Sequence, residues 1–240
     1  MSFLPQEKKL KIVQNVELFR KKHDCSIRDV MRLLGQLTAC IQAVQWSQAH
    51  TRRLQNWVLS MWDKNPAHLD WKIKIPAEIK DALVWWTHPE YLEKGVTWHP
   101  WPLLSIQTDA SLTGWGANIE GSLAQGEWPL SIQNRSSNYR ELRAVWEALK
   151  TRGDLLKSRH VKIYSDNVTT VAYLRHQGGT RNTELLLLSE KIFSWAEDNV
   201  LSLSAVHLKG EENAIADYLS RKHINNSEWC LNNEVFEQLT

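Results

Sequence analysis

The chain has 240 residues, 42% hydrophobic and 23% charged, an ordinary globular balance and enough length for one large domain or two small ones. No apolar run approaches the ~20 residues that span a bilayer, and the opening MSFLPQEKKLKIVQ lacks the apolar core of a secretory leader. The expectation is therefore an intracellular protein, cytoplasmic or nuclear, with no membrane partner. Net charge is only +2, but residues 1–60 hold ten Lys/Arg against four Asp/Glu, which is +6 and leaves −4 for the remainder. A basic front on an acidic body fits a chain in which one part meets phosphates and another holds metal, although a solvated helical face explains the charge equally well. Cys25, Cys40 and Cys230 have no metal-ligand spacing and read as free thiols of a reducing compartment.

In chain order, the first 65 residues read as helical. Ser26 and Asp29 form a capping box with Asp in place of Glu, and Val30, Leu33, Leu34, Leu37 and Ile41 follow as one apolar face. A second stripe runs Leu54, Trp57, Val58, Met61, and Pro76 starts a short helix, AEIKDALVWW. Pro89, Gly95, Pro100 and Pro102 mark a linker over 87–101. Beyond it the texture changes. Strands are predicted at 103–110, 115–121 and 125–128, then a helix from about 138 carrying Leu142, Val145, Trp146 and Leu149. A strand at 161–165, helices at 168–177 and 183–199, a strand at 201–207 and a helix at 212–222 complete the pattern. Three strands in a row followed by strand–helix alternation describe an α/β fold, a mixed five-stranded sheet flanked by helices, with an all-helical N-terminal region. The expected organisation is a helical region over 1–86, the linker, a sheet domain over 102–223 and a tail over 224–240.

Four acids fall where this architecture gathers ligands. Asp109 ends the first predicted strand and Asp166 the fourth; Glu141 lies in the first turn of the helix after the third, and Asp217 in the last helix. Carboxylates brought together cannot all stay ionised without a cation, and hard oxygen ligands suit Mg²⁺ or Mn²⁺. Each acid also has a plain alternative: a turn former at Asp109, a helix cap at Asp166, a capping box between Asn138 and Glu141, a surface acid at Asp217.

The segments TDAS…GWGA (108–117), SSNYREL (136–142), YSDN (164–167) and HLKGEENAIADYLSR (207–221) resemble the successive signatures of ribonuclease H. SSNYREL, VAYLRHQGGTRN and NAIADYLSR most resemble the ribonuclease H of DIRS-type retrotransposon reverse transcriptases, over about 103–222. The resemblance implies a ribonuclease H-like fold and two-metal hydrolysis of the RNA strand of RNA–DNA hybrids. Asp109, Glu141, Asp166 and Asp217 would hold two Mg²⁺, with Mn²⁺ as substitute, and His207 matches the family's mobile catalytic histidine. Ser111, Ser137 and Asn138 match residues that touch the RNA strand, whose 2′-hydroxyl separates it from DNA, and Asn213 joins them as a substrate-binding candidate. The short GGTRN turn (178–182) replaces the extra helix and basic loop of many cellular members.

Residues 1–86 resemble, more distantly, a thumb or connection region that would hold nucleic acid. The polymerase part of a reverse transcriptase, or another subunit, is the expected protein partner, since no Tyr-x-Asp-Asp polymerase motif is present. Residues 96–240, which hold every predicted strand, are expected to fold alone. Two rival readings are an integrase-like DNA nuclease of the same fold and a domesticated, catalytically silent binding or scaffolding protein.

Overall fold

The computed structural model describes residues 1–222, so the predicted tail and Cys230 lie outside the described residues. Helix α1 (Gln6–Lys21) turns Ile12, Val16 and Phe19 inward and leads to a short strand, β1 (Asp24–Ser26). Helix α2 (Ile27–Thr38) opens on the expected capping box: Ser26 Oγ accepts the Asp29 N–H at 3.1 Å, and the Asp29 carboxylate accepts the Ser26 N–H at 3.3 Å. Val30, Leu33 and Leu37 are buried along its stripe. Helix α3 (Arg52–Met61) buries Leu54, Trp57 and Val58, whereas Met61, the last member of that stripe, is exposed.

The N-terminal region is helical but not all-helical, because β1 pairs antiparallel with β2 (Lys72–Lys74). Two three-residue strands, one of them Lys-Ile-Lys, are too short for a period-two signal to register. Helix α4 (Ala77–Ala82) follows Pro76 as expected, and a 3-10 turn over Val84–Thr87 sets Trp85 and Trp86 into the interior. Within the segment expected as a linker, α5 (Pro89–Leu92) buries Leu92 and Val96 pairs with Ser2.

The expected five-stranded mixed sheet, flanked by helices, is present. Its strands are β3 (Leu103–Ala110), β4 (Gly114–Ile119), β5 (Ser122–Glu127), β6 (His160–Ser165) and β7 (Ser202–His207), in the spatial order β5-β4-β3-β6-β7. β4 runs antiparallel to β3 and β5, while β6 runs parallel to β3 and β7 parallel to β6. Between β5 and β6 come α6 (Leu130–Gln133), α7 (Ser137–Thr151) and α8 (Gly153–Leu156); α9 (Val168–Arg175) and α10 (Thr183–Asn199) join β6 to β7. After β7 a 3-10 turn over Gly210–Asn213 feeds α11 (Ala214–Arg221). Helices α7 and α11 both pack on β3 and β4. Helix α9 ends where Gly178, at φ +110°, lets its N–H return to the Tyr173 carbonyl at 2.7 Å, a backbone turn that disfavours any side chain.

One apolar core runs through both regions. Trp46 meets Phe193 of α10 with ring centroids 6.2 Å apart. Glu197 of α10 accepts from Trp85 Nε1 at 2.9 Å and lies 2.8 Å from His50 Nε2, and His50 stacks on Trp85 at 4.1 Å. Arg53 forks onto Glu190 at 2.7 and 2.8 Å, and the Arg52 guanidinium donates to the His176 carbonyl. No helix among the described residues is long and apolar enough to cross a membrane.

Candidate active site

The sheet explains why the acids meet. β3 and β6 run parallel in a register that sets Gln107 opposite Tyr164, so two residues further on Asp109 and Asp166 reach the same edge on neighbouring strands. β7 adds His207 opposite Ser165 at that edge. Helix α7 starts one residue earlier than predicted, capped by Ser136, whose Oγ accepts the Tyr139 N–H. Glu141 is therefore the fifth helical residue rather than a first-turn one, too far along for a capping box, and it turns inward beside Asp109. Nor does Asp166 cap α9; Asn167 does, accepting the Thr170 N–H at 2.8 Å. Asp109 is paired in the β3–β4 ladder with Gly116, not placed in a turn.

Asp109, Glu141 and Asp166 each bring a carboxylate oxygen within 4.8 Å of the other two. Asp109 and Glu141 are buried, and among the described residues none of the three forms an ion pair with Lys, Arg or His. Burial, then the charges of Asp109 and Asp166, push the Glu141 carboxyl up to about 9. Burial likewise raises Asp109, against the lowering effect of a hydrogen bond from Ser220. Glu141 Oε2 is buried with no hydrogen-bond partner. Three converging carboxylates with no ion-paired cation among them, and an unpartnered oxygen on Glu141, fit a divalent metal site.

Asp217, the fourth acid expected, stands apart from that group. Its Oδ1 takes Arg221 Nε at 2.7 Å one helical turn on, and its side chain is 43% exposed. Its charge still reaches Asp109. His207 Nε2–H donates to the Asp166 main-chain carbonyl at 3.0 Å, leaving its other ring nitrogen uncommitted. Ser137 is exposed at the start of α7, and Asn138 Oδ1 accepts from Asn167 Nδ2 at 3.0 Å. Ser111, by contrast, uses its hydroxyl inside the fold, donating to the Ser220 carbonyl at 2.6 Å. Asn213 is fully buried and donates to the Thr108 carbonyl at 3.0 Å; it offers no surface to a substrate and instead ties the turn before α11 to β3.

Sequence reasoning missed Ser220, whose Oγ–H donates to Asp109 Oδ2 at 2.6 Å. Its signal was present in ADYLSR, three residues after Asp217. It also missed a groove of about 720 Å³ that runs from Asn138 past Thr169 and His176 to Arg181, with Arg52 of the N-terminal region on its wall. Of its two arginines, Arg181 sits in the GGTRN turn.

Glu141 gives the site a pH signature. Its folded pKa near 9 lies above the ordinary 4.5, so the metal-free folded protein keeps a proton that the unfolded chain releases, and stability falls as pH rises through that window. The melting temperature of the metal-free protein is expected to drop between those limits, and Glu141→Gln to flatten the drop. Thermal melts in chelator at stepped pH check this; identical slopes for both proteins would refute it.

No protein-family model matches the chain, and no curated protein sequence matches it. Solved structures resemble it in part. A ribonuclease H1 isolated from compost, solved with an RNA/DNA hybrid, is 24% identical, with a TM-score of 0.41 over 48% of this chain and 92% of that one. The ribonuclease H1 of the halophilic archaeon Halobacterium salinarum is 16% identical, with a TM-score of 0.38 over 49% of this chain and 94% of that one. The foamy viral protease-reverse transcriptase, solved with an RNA/DNA hybrid, is 15% identical over 95% of this chain and 30% of that one, with a TM-score of 0.32.

Proposed function

We propose that this chain is a ribonuclease H that hydrolyses the RNA strand of RNA–DNA hybrids as part of a retrotransposon reverse transcriptase. The observation that carries the reading is the meeting of Asp109, Glu141 and Asp166 at one sheet edge with His207 beside them. Asp109, Glu141 and Asp166, with Asp217 at the margin, would hold divalent cations, Mg²⁺ or Mn²⁺, whose chemistry is to activate water and offset charge on the leaving oxygen. The chain's own residues do the rest. Burial of Asp109 and Glu141 keeps bulk water from their oxygens and fixes them before substrate arrives. Ser137 and Asn138, at the start of α7, would meet the 2′-hydroxyl that identifies the RNA strand. The groove from Asn138 to Arg181 would give the companion strand's backbone a path that carries Arg52 and Arg181. Water attacks phosphorus as the bond to the 3′-oxygen breaks, leaving 5′-phosphate and 3′-hydroxyl ends.

His207, anchored through Nε2–H to the Asp166 carbonyl, presents Nδ1 to carry the proton that the departing 3′-oxygen needs. His207→Ala is expected to slow turnover ~10–100-fold, at or below the usual range for a positioned proton carrier, and to leave metal binding intact. Turnover unchanged across pH 6–8, measured on labelled hybrid, would return His207 to a structural role.

One observation favours a second reading. With Asp217 drawn to Arg221, three acids rather than four converge, which also suits an integrase-like DNA nuclease of this fold. Incubating labelled RNA–DNA hybrid, RNA duplex and DNA duplex with Mg²⁺ separates them. Cutting of hybrid RNA alone supports the ribonuclease H; cutting of DNA duplex supports the alternative; no cutting of any substrate supports a silent binding protein.

A further inference from the structure

Serine inside a helix ordinarily points to solvent or bonds back to its own helix. Ser220 does neither alone. It is 1% exposed on the sheet-facing side of α11, its Oγ 2.6 Å from Asp109 Oδ2 and 2.9 Å from the Asp217 carbonyl. The hydroxyl has one proton for these two acceptors. A carboxylate is the stronger acceptor, and 2.6 Å is the length of a charge-assisted O–H···O⁻ bond, so the proton belongs to Asp109.

The serine that makes this bond is itself held from the sheet. A Cβ at Gly116 would lie 2.4 Å from the Ala216 carbonyl and 2.7 Å from the Ser220 nitrogen; one at Gly114 would lie 2.9 Å from the Ser220 oxygen. Only glycines let α11 approach β4 so closely. The Ser220 carbonyl also receives Ser111 Oγ–H at 2.6 Å. β4 and the turn that precedes it thus fix where Ser220 stands, and Ser220 engages one oxygen of Asp109 and restrains its carboxylate.

We propose that Ser220 is a positioning residue: its hydroxyl fixes the Asp109 carboxylate for metal and links the docking of α11, which carries Asp217, to the formation of the cation site. This rests on the metal site of the proposed function. Partners of this kind around a metal ligand typically change metal affinity or activity ~10–100-fold when removed.

The test measures Mn²⁺ binding to the full chain without nucleic acid, by calorimetry, alongside thermal melts in chelator and the Mg²⁺ dependence of hybrid cleavage. Ser220→Ala is expected to weaken Mn²⁺ about 10-fold and to raise the Mg²⁺ needed for half-maximal cleavage by a similar factor, with most of the rate recovered at saturation. Ser220→Cys is nearly isosteric, keeps the packing and donates only weakly; it should melt like the wild type and still bind Mn²⁺ more weakly, so it decides the matter if the alanine variant does not fold. Wild-type Mn²⁺ affinity in Ser220→Cys would overturn the proposal while leaving the metal site standing. A wild-type protein that binds no Mn²⁺, indistinguishable from Asp109→Asn, would bring down both.

Discussion

Asp166→Asn is expected to abolish hybrid cleavage, by ~10³-fold or more in kcat/KM, while leaving hybrid affinity nearly unchanged. The substitution keeps the side chain's size and removes one charge from the three oxygens that converge at the sheet edge. It does not touch Arg181 in the groove wall, where affinity for the nucleic-acid backbone would arise. Asp217→Asn supplies the contrast. Because its carboxylate is partly exposed and paired with Arg221, its loss is expected to cost about 10-fold, the effect of an outer partner rather than a central ligand. Single-turnover cleavage and equilibrium binding, measured on one labelled hybrid for both variants, check the pair. Near wild-type cleavage by Asp166→Asn would remove the metal assignment. Equal losses from both variants would mean that Asp217 leaves Arg221 and joins the cluster when cation and substrate bind.

What the sequence made legible follows from the range of the signals. β3 and α10 are found at their predicted bounds because each has a full period: LLSIQTDA closes a central strand, and Asn182 caps seventeen helical residues. Asp109 and Asp166 could be placed together because each terminates a strand, and parallel pairing brings strand ends to one edge. The position of Asp217 was less legible: its motif marks the helix, but the motif alone does not weigh the local i,i+4 pull of Arg221 on its carboxylate. Asn213 was misjudged for a similar reason. Its motif made it a substrate-binding candidate, yet here it donates to the Thr108 carbonyl of β3 and lies fully inside. The charge excess of residues 1–60 was read as a hand for phosphates, but Arg52 and Arg53, two of its ten cations, are bound to α9 and α10 instead.

That last finding reverses an expectation about truncation. Residues 96–240 hold every strand of the five-stranded sheet, and on strand content alone they should fold and merely lose affinity. The contacts say otherwise. Phe193, 2% exposed, has Trp46 against it, and Glu197 receives its partners Trp85 and His50 from the N-terminal region. Arg53 pairs with Glu190, and the Gln177 side chain accepts the Ala49 N–H at 3.0 Å. Cutting the chain at residue 96 would uncover Phe193 of α10, leave a buried-type carboxylate at Glu197 without its donors, and remove the Arg52 donors that steady the end of α9. Exposing a large apolar side chain such as Phe193 costs ~1.5–3 kcal/mol, and with the stranded polar groups added the loss approaches the lower end of the ~5–15 kcal/mol that holds a domain together. The 96–240 fragment is therefore expected to be insoluble or molten, without a cooperative melt and with strong binding of an apolar dye, whereas the full chain melts in one transition. Salt dependence of hybrid binding completes the test. If the N-terminal region serves mainly as a cap, hybrid affinity of the full chain should follow salt through Arg181 and the groove, and charge reversal at exposed Lys8 and Lys11 of α1 should leave the slope unchanged. A fragment that folds cooperatively and cuts hybrid, with a shallower salt slope than the full chain, would restore the phosphate-docking role and overturn the cap.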